Sequence, residues 1–332
     1  MGLMEYTTLG STGMTVSRIG LGGVSFGSAE PWMLDPEESR AIIDRAVELG
    51  INFFDTANAY SDGDSERILG AALEEYDRDR MVVATKGYFH MDEDNPNSGG
   101  LSRKAIEQEL TNSLDRLGME TVDLYQTHRW DQTPTTRGIL GTLDDAVRRG
   151  QVRYLGASTM RAHEFAEALH TADRLGLERF VSMQNHYNLV YREEEREMLP
   201  LCEREGVGVV PWSPLARGYL ARPDDELRAT ERGRTDPYLD RRIQRYRANG
   251  GRTVNERIQE LSDHYDASMA QIALAWLLAK DWVDAPVVSV SSREHLEEAV
   301  DAVEIDLDSD DVDYLEEPYE PGPEIGFTSS MV

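Results

Sequence analysis

Cysteine is nearly missing from this 332-residue chain: Cys202 is the only one, so no internal disulfide is available and a cysteine-rich zinc site is excluded. A reducing compartment fits. Lysine is almost as scarce, confined to Lys86, Lys104 and Lys280, so arginine supplies nearly all of the 34 basic residues that face 62 acidic ones. The formal net charge of −28 makes nucleic acid and anionic membranes poor partners. Because the acids are spread along the whole chain rather than gathered in a tail, they suggest a high-salt cytosol, where surface carboxylates hold water and ions and their repulsion is screened. An ordinary acidic enzyme is the alternative, and scarce lysine weighs against it. The longest apolar run, AQIALAWLLA at 270–279, is too short to span a bilayer, and MGLMEYTTLG at the start lacks the basic and apolar blocks of a signal peptide. A cytoplasmic protein without membrane insertion is expected.

What the chain does have is a repeat of short β-rich runs, each followed by a longer amphipathic segment. The strand candidates are SRIGLGG (17–23), INFFDT (51–56), RMVVATK (80–86), TVDLYQTH (121–128), QVRYLGAS (151–158), RFVSMQN (179–185), GVGVVPW (206–212) and APVVSV (285–290). Several are apolar nearly throughout, as strands covered on both faces are. Helix signals lie between them: Asp35 as a cap before Pro36 with a stop at Gly50, and Ser102 opening a segment that closes at Gly118. Eight such units in one chain fit a (β/α)8 TIM barrel, a single domain over 1–332, with an open parallel sheet of fewer strands as the alternative. EYTTLGSTGMTVSRIG predicts a hairpin ahead of the first barrel strand. The Arg-rich, Pro-containing stretch of about 213–252 predicts a long loop after strand seven, and loops of that length are usually functional or disordered.

In such a barrel the carboxyl ends of the strands converge on one mouth, and there the chain places Asp55, Lys86 and His128, with Tyr60 five residues past Asp55. These four form a coherent proton-transfer set. A phenol is a poor acid at neutral pH, and a nearby ammonium favours its phenolate; a buried ammonium in turn needs a carboxylate to hold it. Lys86 is the candidate cation, Asp55 its partner, His128 a donor to a carbonyl oxygen and Tyr60 the proton source. Taken singly, each has a plainer reading: a cap or ion pair for Asp55, a core histidine for His128, a surface-reaching Lys86, a packing Tyr60. Their joint placement argues for chemistry.

The segments FDTANAYSDGDSERILG, VVATKG, DLYQTH and PWSPLARG, in this order, resemble the aldo-keto reductase superfamily over nearly the whole chain. Within it the WSPLARG form and the long loop look most like the branch of potassium-channel β-subunits and bacterial reductases of aldehydes and sugar phosphates. The resemblance implies a barrel that binds NADPH or NADP+ in extended form, with NADH left open. It carries the family's tetrad onto Asp55, Tyr60, Lys86 and His128, with Tyr60 as general acid in reduction and base in oxidation. It also implies a cofactor track: Gly22, Gly23 and Val24 beneath the nicotinamide ribose; Ser158, Thr159 and Gln184 near the carboxamide; Trp212 stacked on the nicotinamide. Ser213, Pro214, Leu215, Arg217 and Gly218 follow along the pyrophosphate. Thr159 departs from the asparagine usual in the family. At the adenosine end the family pattern meets Ser289, Ser291, Ser292, His295 and Glu298, with Ala299 in place of asparagine, so cations for a 2′-phosphate are scarce. Arg232, Arg234 and Arg293 are candidates to supply that charge or are solvated surface residues.

Other motifs fail. GLGG lacks the third glycine of a dinucleotide fingerprint because Ser25 falls there, and the DGDSE turn has Arg67 where a calcium loop needs glycine. No metal site is expected; Asp62 and Asp64 are read as caps of the following helix, with Asp64 and Glu66 near its positive end. Arg129, beside His128, suggests an anionic carbonyl substrate or else turns outward to pair with an acid. Two functions stand: an NAD(P)H-dependent reductase of an aldehyde, ketone or small sugar derivative, and a redox-sensing regulatory subunit that binds NADPH and turns over slowly. A homo-oligomer is compatible with either.

Overall fold

In the computed structural model, which describes residues 4–322, the chain opens with a two-stranded antiparallel hairpin, β1 (Tyr6–Thr8) and β2 (Thr15–Ser17). Eight parallel strands follow: β3 (Gly20–Gly22), β4 (Phe53–Asp55), β5 (Val82–Gly87), β6 (Val122–Thr127), β7 (Val152–Ser158), β8 (Phe180–Gln184), β9 (Gly208–Val209) and β10 (Val287–Val288). They pair in chain order, with β10 beside β3. Trp212 bridges in parallel to both His186 and Val287, and the Val287 N–H donates to the Pro211 carbonyl at 2.9 Å, so the sheet curls round on itself. This is the (β/α)8 architecture, and each strand falls inside its sequence-based candidate except β5, which runs one residue past it to Gly87.

The helices are α1 (Pro36–Glu48), α2 (Asp64–Leu73), α3 (Arg103–Leu117), α4 (Thr136–Arg148), α5 (Ala162–Leu175), α6 (Met198–Glu205), α7 (Glu231–Thr235), α8 (Leu239–Ala248), α9 (Gly251–Tyr265), α10 (Met269–Leu278), α11 (Arg293–Asp301) and α12 (Ser309–Glu316). Their starts follow local chemistry. Asp35 accepts from the Glu37 and Glu38 N–H groups while Glu38 returns a bond to the Asp35 N–H, a reciprocal cap ahead of Pro36; Ser102 caps α3 through the Ala105 N–H. Two expectations need correction. The stretch at 213–252 is not a bare loop, because α7 and α8 form within it. Nor do Asp62 and Asp64 cap α2: its N-cap is Gly63, without a side-chain bond, and Asp64 pairs with Arg67 inside the first turn. None of the described helices is long and apolar enough to cross a membrane.

The period of two along each strand splits the barrel into an inner and an outer set. Phe54, Val83 and Tyr125 face the helices; Phe53, Val82, Ala84, Leu124, Val210 and Val287 fill the inside at one end. The hairpin closes that end, with Leu9 and Val16 packed into the same inner cluster. Burying Phe53 alone contributes about 1.5–3 kcal/mol of transfer free energy. Above this apolar plug the inner positions turn polar, at Asp55, Lys86 and Gln126, and that is where the open mouth lies.

Candidate active site

Asp55 ends β4 and Lys86 lies on β5, and both are at most 2% exposed. The Lys86 ammonium donates to Asp55 Oδ2 at 2.6 Å, to the Thr56 carbonyl at 2.8 Å and to the Tyr60 hydroxyl at 3.2 Å. Three donors thus meet three acceptors, which satisfies a buried cation in full. Asp55 is held equally firmly: its Oδ1 accepts from Gln126 Nε2 at 2.8 Å and from Gln184 Nε2 at 2.9 Å. Burial disfavours the Lys86 charge, but the attraction of Asp55 and then of Tyr60 outweighs it, and its pKa lies above the ordinary lysine value.

Tyr60 opens a short helical turn after β4 and is half-buried. Since its oxygen accepts from Lys86, its own O–H hydrogen is free to point elsewhere. The His128 ring stands edge-on to it, centroids 5.8 Å apart, and Phe89 packs edge-on against His128 at 4.8 Å. Burial, Lys86 and Arg129 together push the His128 pKa well below the ordinary histidine value, so the ring is neutral, and its Nδ1 is buried without a hydrogen-bond partner. Arg129 Nη1 donates to the His128 carbonyl at 2.6 Å.

The cofactor-track residues fall around the same mouth. Gly22 ends β3 and Gly23 follows it, where a Cβ would come within 2.6 Å of the Ser289 and Ser65 hydroxyls respectively, and Val24 beside them is half-buried. Ser158 and Thr159 end β7 with their hydroxyls 3.2 Å apart, and Thr159 also accepts from Trp212 Nε1 at 3.0 Å. Trp212 is half-buried; His186 stacks on one face at 4.3 Å, with Tyr191 behind His186 at 4.4 Å. Ser213, Pro214, Leu215, Arg217 and Gly218 follow, with φ of +58° at Ser213, +61° at Arg217 and +91° at Gly218. Six of the seven non-glycine residues with positive φ (Ser61, Asp62, Thr159, Ser213, Ala216, Arg217) lie just beyond strand ends at the mouth, which localises backbone strain there.

Arginines from the 213–252 segment gather over this region. Arg217 pairs with the buried Asp236, Arg232 lies 3.5 Å from the same carboxylate, and the Arg232 guanidinium sits 4.2 Å from the Trp32 ring, tying α7 to the segment that follows β3. Arg234 is exposed and turns back onto the Ala229 carbonyl at 2.8 Å. At the other end Ser292 caps α11 through the His295 N–H, Ser291 meets His295 Nδ1 at 3.2 Å, and Glu298 accepts from Ser268 at 3.3 Å. Ser291, Arg293 and His295 are exposed; Ala299 is buried in the core.

A family model for the aldo/keto reductase family matches residues 18–320. The chain belongs to the aldo/keto reductase family. Its relatives include a protein of Schizosaccharomyces pombe provisionally named an aryl-alcohol dehydrogenase, 41% identical over 344 residues covering 96% of both chains. Versiconal hemiacetal acetate reductase of Aspergillus parasiticus is 40% identical over 338 residues, 96% of this chain and 98% of its own, and an aldo-keto reductase of Metarhizium robertsii is 40% identical over 349 residues, covering 96% and 92%. The chain is therefore similar to oxidoreductases, and the family generally uses NADP(H).

The mouth of this aldo/keto reductase suits such a cofactor: an indole ring with His186 stacked on one face and a glycine pair without side chains. Three contributors escaped the sequence reading. Gln126 lies two residues before His128, so the period of two that makes His128 face inward also turns Gln126 inward, and this signal was legible. His186, two residues past Gln184, follows the same rule. Glu66 is different: it is fully buried on α2, accepts from Thr85 at 2.5 Å and from Arg116 at 2.6 Å, and belongs to neither a cap nor a solvated surface.

Proposed function

We propose that this chain is an NAD(P)H-dependent reductase that converts the carbonyl of an aldehyde, ketone or small sugar derivative to an alcohol, with Tyr60 as the proton donor. The observation that carries this reading is the saturation of Lys86: with its three hydrogens spent on Asp55, Thr56 and Tyr60, it stays charged and sits against the tyrosine oxygen. When bound, the reduced nicotinamide supplies a hydride to the carbonyl carbon. Tyr60 gives its proton to the carbonyl oxygen, and the phenolate left behind is stabilised by the Lys86 ammonium. His128, neutral, donates a hydrogen bond to the same oxygen and orients it, while Phe89 keeps water from that side.

Trp212 is assigned to the nicotinamide face, Ser158, Thr159 and Gln184 to the carboxamide, Gly22, Gly23 and Val24 to the ribose, and Ser213 to Gly218 with Arg217 to the pyrophosphate. Ser289, Ser291, Ser292, His295 and Glu298, with Arg234, are assigned to the adenosine end, and NADPH is the favoured form. An aryl aldehyde is the first substrate to try, given the aromatic wall of Tyr88 and Phe89 and the names of the relatives. Mixing the protein with NADPH and a panel of aldehydes, and following nicotinamide absorbance, is expected to show turnover that collapses by about 100-fold or more in Tyr60→Phe while NADPH still binds. Equal rates in the two proteins would remove Tyr60 as the acid. NADPH binding with no turnover on any carbonyl would favour the redox-sensing alternative.

A further inference from the structure

In a chain with a net charge of −28, arginines find carboxylates easily: Arg103 pairs with Asp145, Arg116 with Glu66, Arg179 with Glu205 and Arg247 with Asp224. Two half-buried arginines at the barrel mouth do not. Arg129 follows His128 directly, donates only to the His128 carbonyl, and holds its guanidinium 5.6 Å from the Phe89 ring. Arg242 lies on α8 four residues before Tyr246, on the same helix face, and Tyr246 meets His186 Nε2 at 3.0 Å. That face of α8 is therefore turned toward the His186–Trp212 stack. Arg242 Nη1 is buried with no hydrogen-bond partner, and neither arginine makes an ion pair among the described residues.

Both charges border the mouth, Arg129 beside His128 and Arg242 on the face of α8 that carries Tyr246. Burial lowers the pKa of both guanidiniums; at Arg129 Tyr60 opposes this and Arg242 adds to it, at Arg242 Tyr246 opposes it and Arg217 adds to it, and no carboxylate is among these causes. An uncompensated pair of half-buried cations is costly unless something fills the gap. Arg217 and Arg232 share the Asp236 carboxylate. Arg129 has no such partner among the described residues and lies two residues past the end of β6, next to His128.

We propose that Arg129 and Arg242 form an oxyanion-binding subsite for the substrate, so that the preferred carbonyl compound carries a carboxylate or phosphate held between β6 and α8. The inference rests on the reductase reading for its geometry. Guanidinium forks match both anions, and with an arginine on α8 the anion also draws the 213–252 segment over the bound substrate.

The test compares matched pairs: 4-carboxybenzaldehyde with methyl 4-formylbenzoate, and glyceraldehyde 3-phosphate with glyceraldehyde. Wild type is expected to favour the anionic member of at least one pair in kcat/KM, the pair that responds naming the anion, and that ratio falls by about tenfold or more in both Arg129→Gln and Arg242→Gln. A wild-type ratio at or below one in both pairs would overturn the subsite while leaving the reductase intact. So would an unchanged ratio in Arg242→Gln together with a raised KM for NADPH, which would place Arg242 on the cofactor. A second measurement stands apart from turnover: calorimetry of benzoate and of inorganic phosphate with the NADP+-saturated protein. If no aldehyde is reduced but one anion binds wild type and not Arg242→Gln, the subsite stands and the reductase reading falls; if neither anion binds wild type, the subsite falls too.

Discussion

Lys86 and Asp55 meet at 2.6 Å on neighbouring barrel strands, both closed off from solvent, and the same ammonium reaches Tyr60. A buried pair is tolerated only while both charges are present, because removing one strands the other in a low-dielectric site. Asp55→Asn is therefore expected to cost about 3–5 kcal/mol in denaturant unfolding and to lower kcat by about 100-fold or more. Asp62→Asn and Asp64→Asn, on the exposed side of the same turn, should change kcat by no more than about threefold, since surface charges contribute about 0–1 kcal/mol. Equal losses in all three variants would mean that Asp55 is one acid among several.

Thr159 accepts the Trp212 indole N–H from a backbone at φ +48°, a conformation that strains a β-branched residue and that asparagine adopts readily. Thr159→Asn keeps an acceptor for the indole and relieves strain worth about 1–3 kcal/mol. A rise in the thermal midpoint is expected, along with a lower KM for NADPH if the new amide meets the carboxamide. A fall in the midpoint would show that the threonine methyl packs better than the strain costs.

The barrel was legible in the sequence because its determinants are local and periodic. Runs such as VVATKG and VDLYQT are buried on both faces and therefore apolar almost throughout. The clustering of Asp55, Lys86 and His128, with Tyr60 from the following turn, was legible for the same reason, as polar residues at or just past strand ends. What the sequence hides are contacts across long separations that no period encodes. Glu66 sits amid surface acids in DGDSE, and its burial depends on Arg116, fifty residues away. Arg242 looks like any other arginine in DRRIQRYRA until α8 is laid over the mouth. The 213–252 stretch reads as loop because its prolines and glycines mask two short helices that gain stability from packing, as the buried Leu239, Ile243 and Tyr246 do.

Arg116→Met tests the hidden pair directly. It leaves the Glu66 carboxylate buried, with Thr85 as its remaining side-chain partner, so unfolding free energy should fall by about 3–5 kcal/mol. The double change Glu66→Gln with Arg116→Met should recover more than half of that loss. No recovery would mean that packing around Arg116 matters more than its charge.

His128 and His186 are both buried, with pKa values pushed well below the ordinary histidine value of 6.5, chiefly by burial and then by nearby cations. Unfolding frees each ring to take a proton near pH 6.5, so this contribution to stability is present above that pH and is lost as pH falls toward the folded-state values. Asp284 runs the other way. Burial pushes it up to about 6, against the Gly10 N–H and Arg18, so its protonated form favours the fold and its contribution is lost as pH rises from 3.8 through about 6. Urea unfolding should show stability declining from pH 7.5 to pH 5, with a steeper decline in Asp284→Asn. That variant should also exceed wild type at pH 7.5 by about 1–2 kcal/mol. A slope unchanged by the substitution would mean that Asp284 is ionised in the fold across this range.

The surface makes a last prediction, about salt. Exposed Arg–carboxylate pairs such as Arg67–Asp64 and Arg103–Glu107 contribute about 0–1 kcal/mol each and weaken as salt rises, which by itself would favour low salt. Against them stands the repulsion of a chain at −28, dense in places such as α12 and its cap, where Asp308, Asp310 and Asp313 are all exposed. The screening length falls from about 30 Å at 0.01 M to about 3 Å at 1 M, so long-range repulsion is lost while bonded contacts at 3 Å are only weakened. The net effect favours high salt, and the thermal midpoint should climb as KCl goes from millimolar to molar. A midpoint highest at low salt would mean that the pairs outweigh the repulsion and would reject adaptation to a salty cytosol.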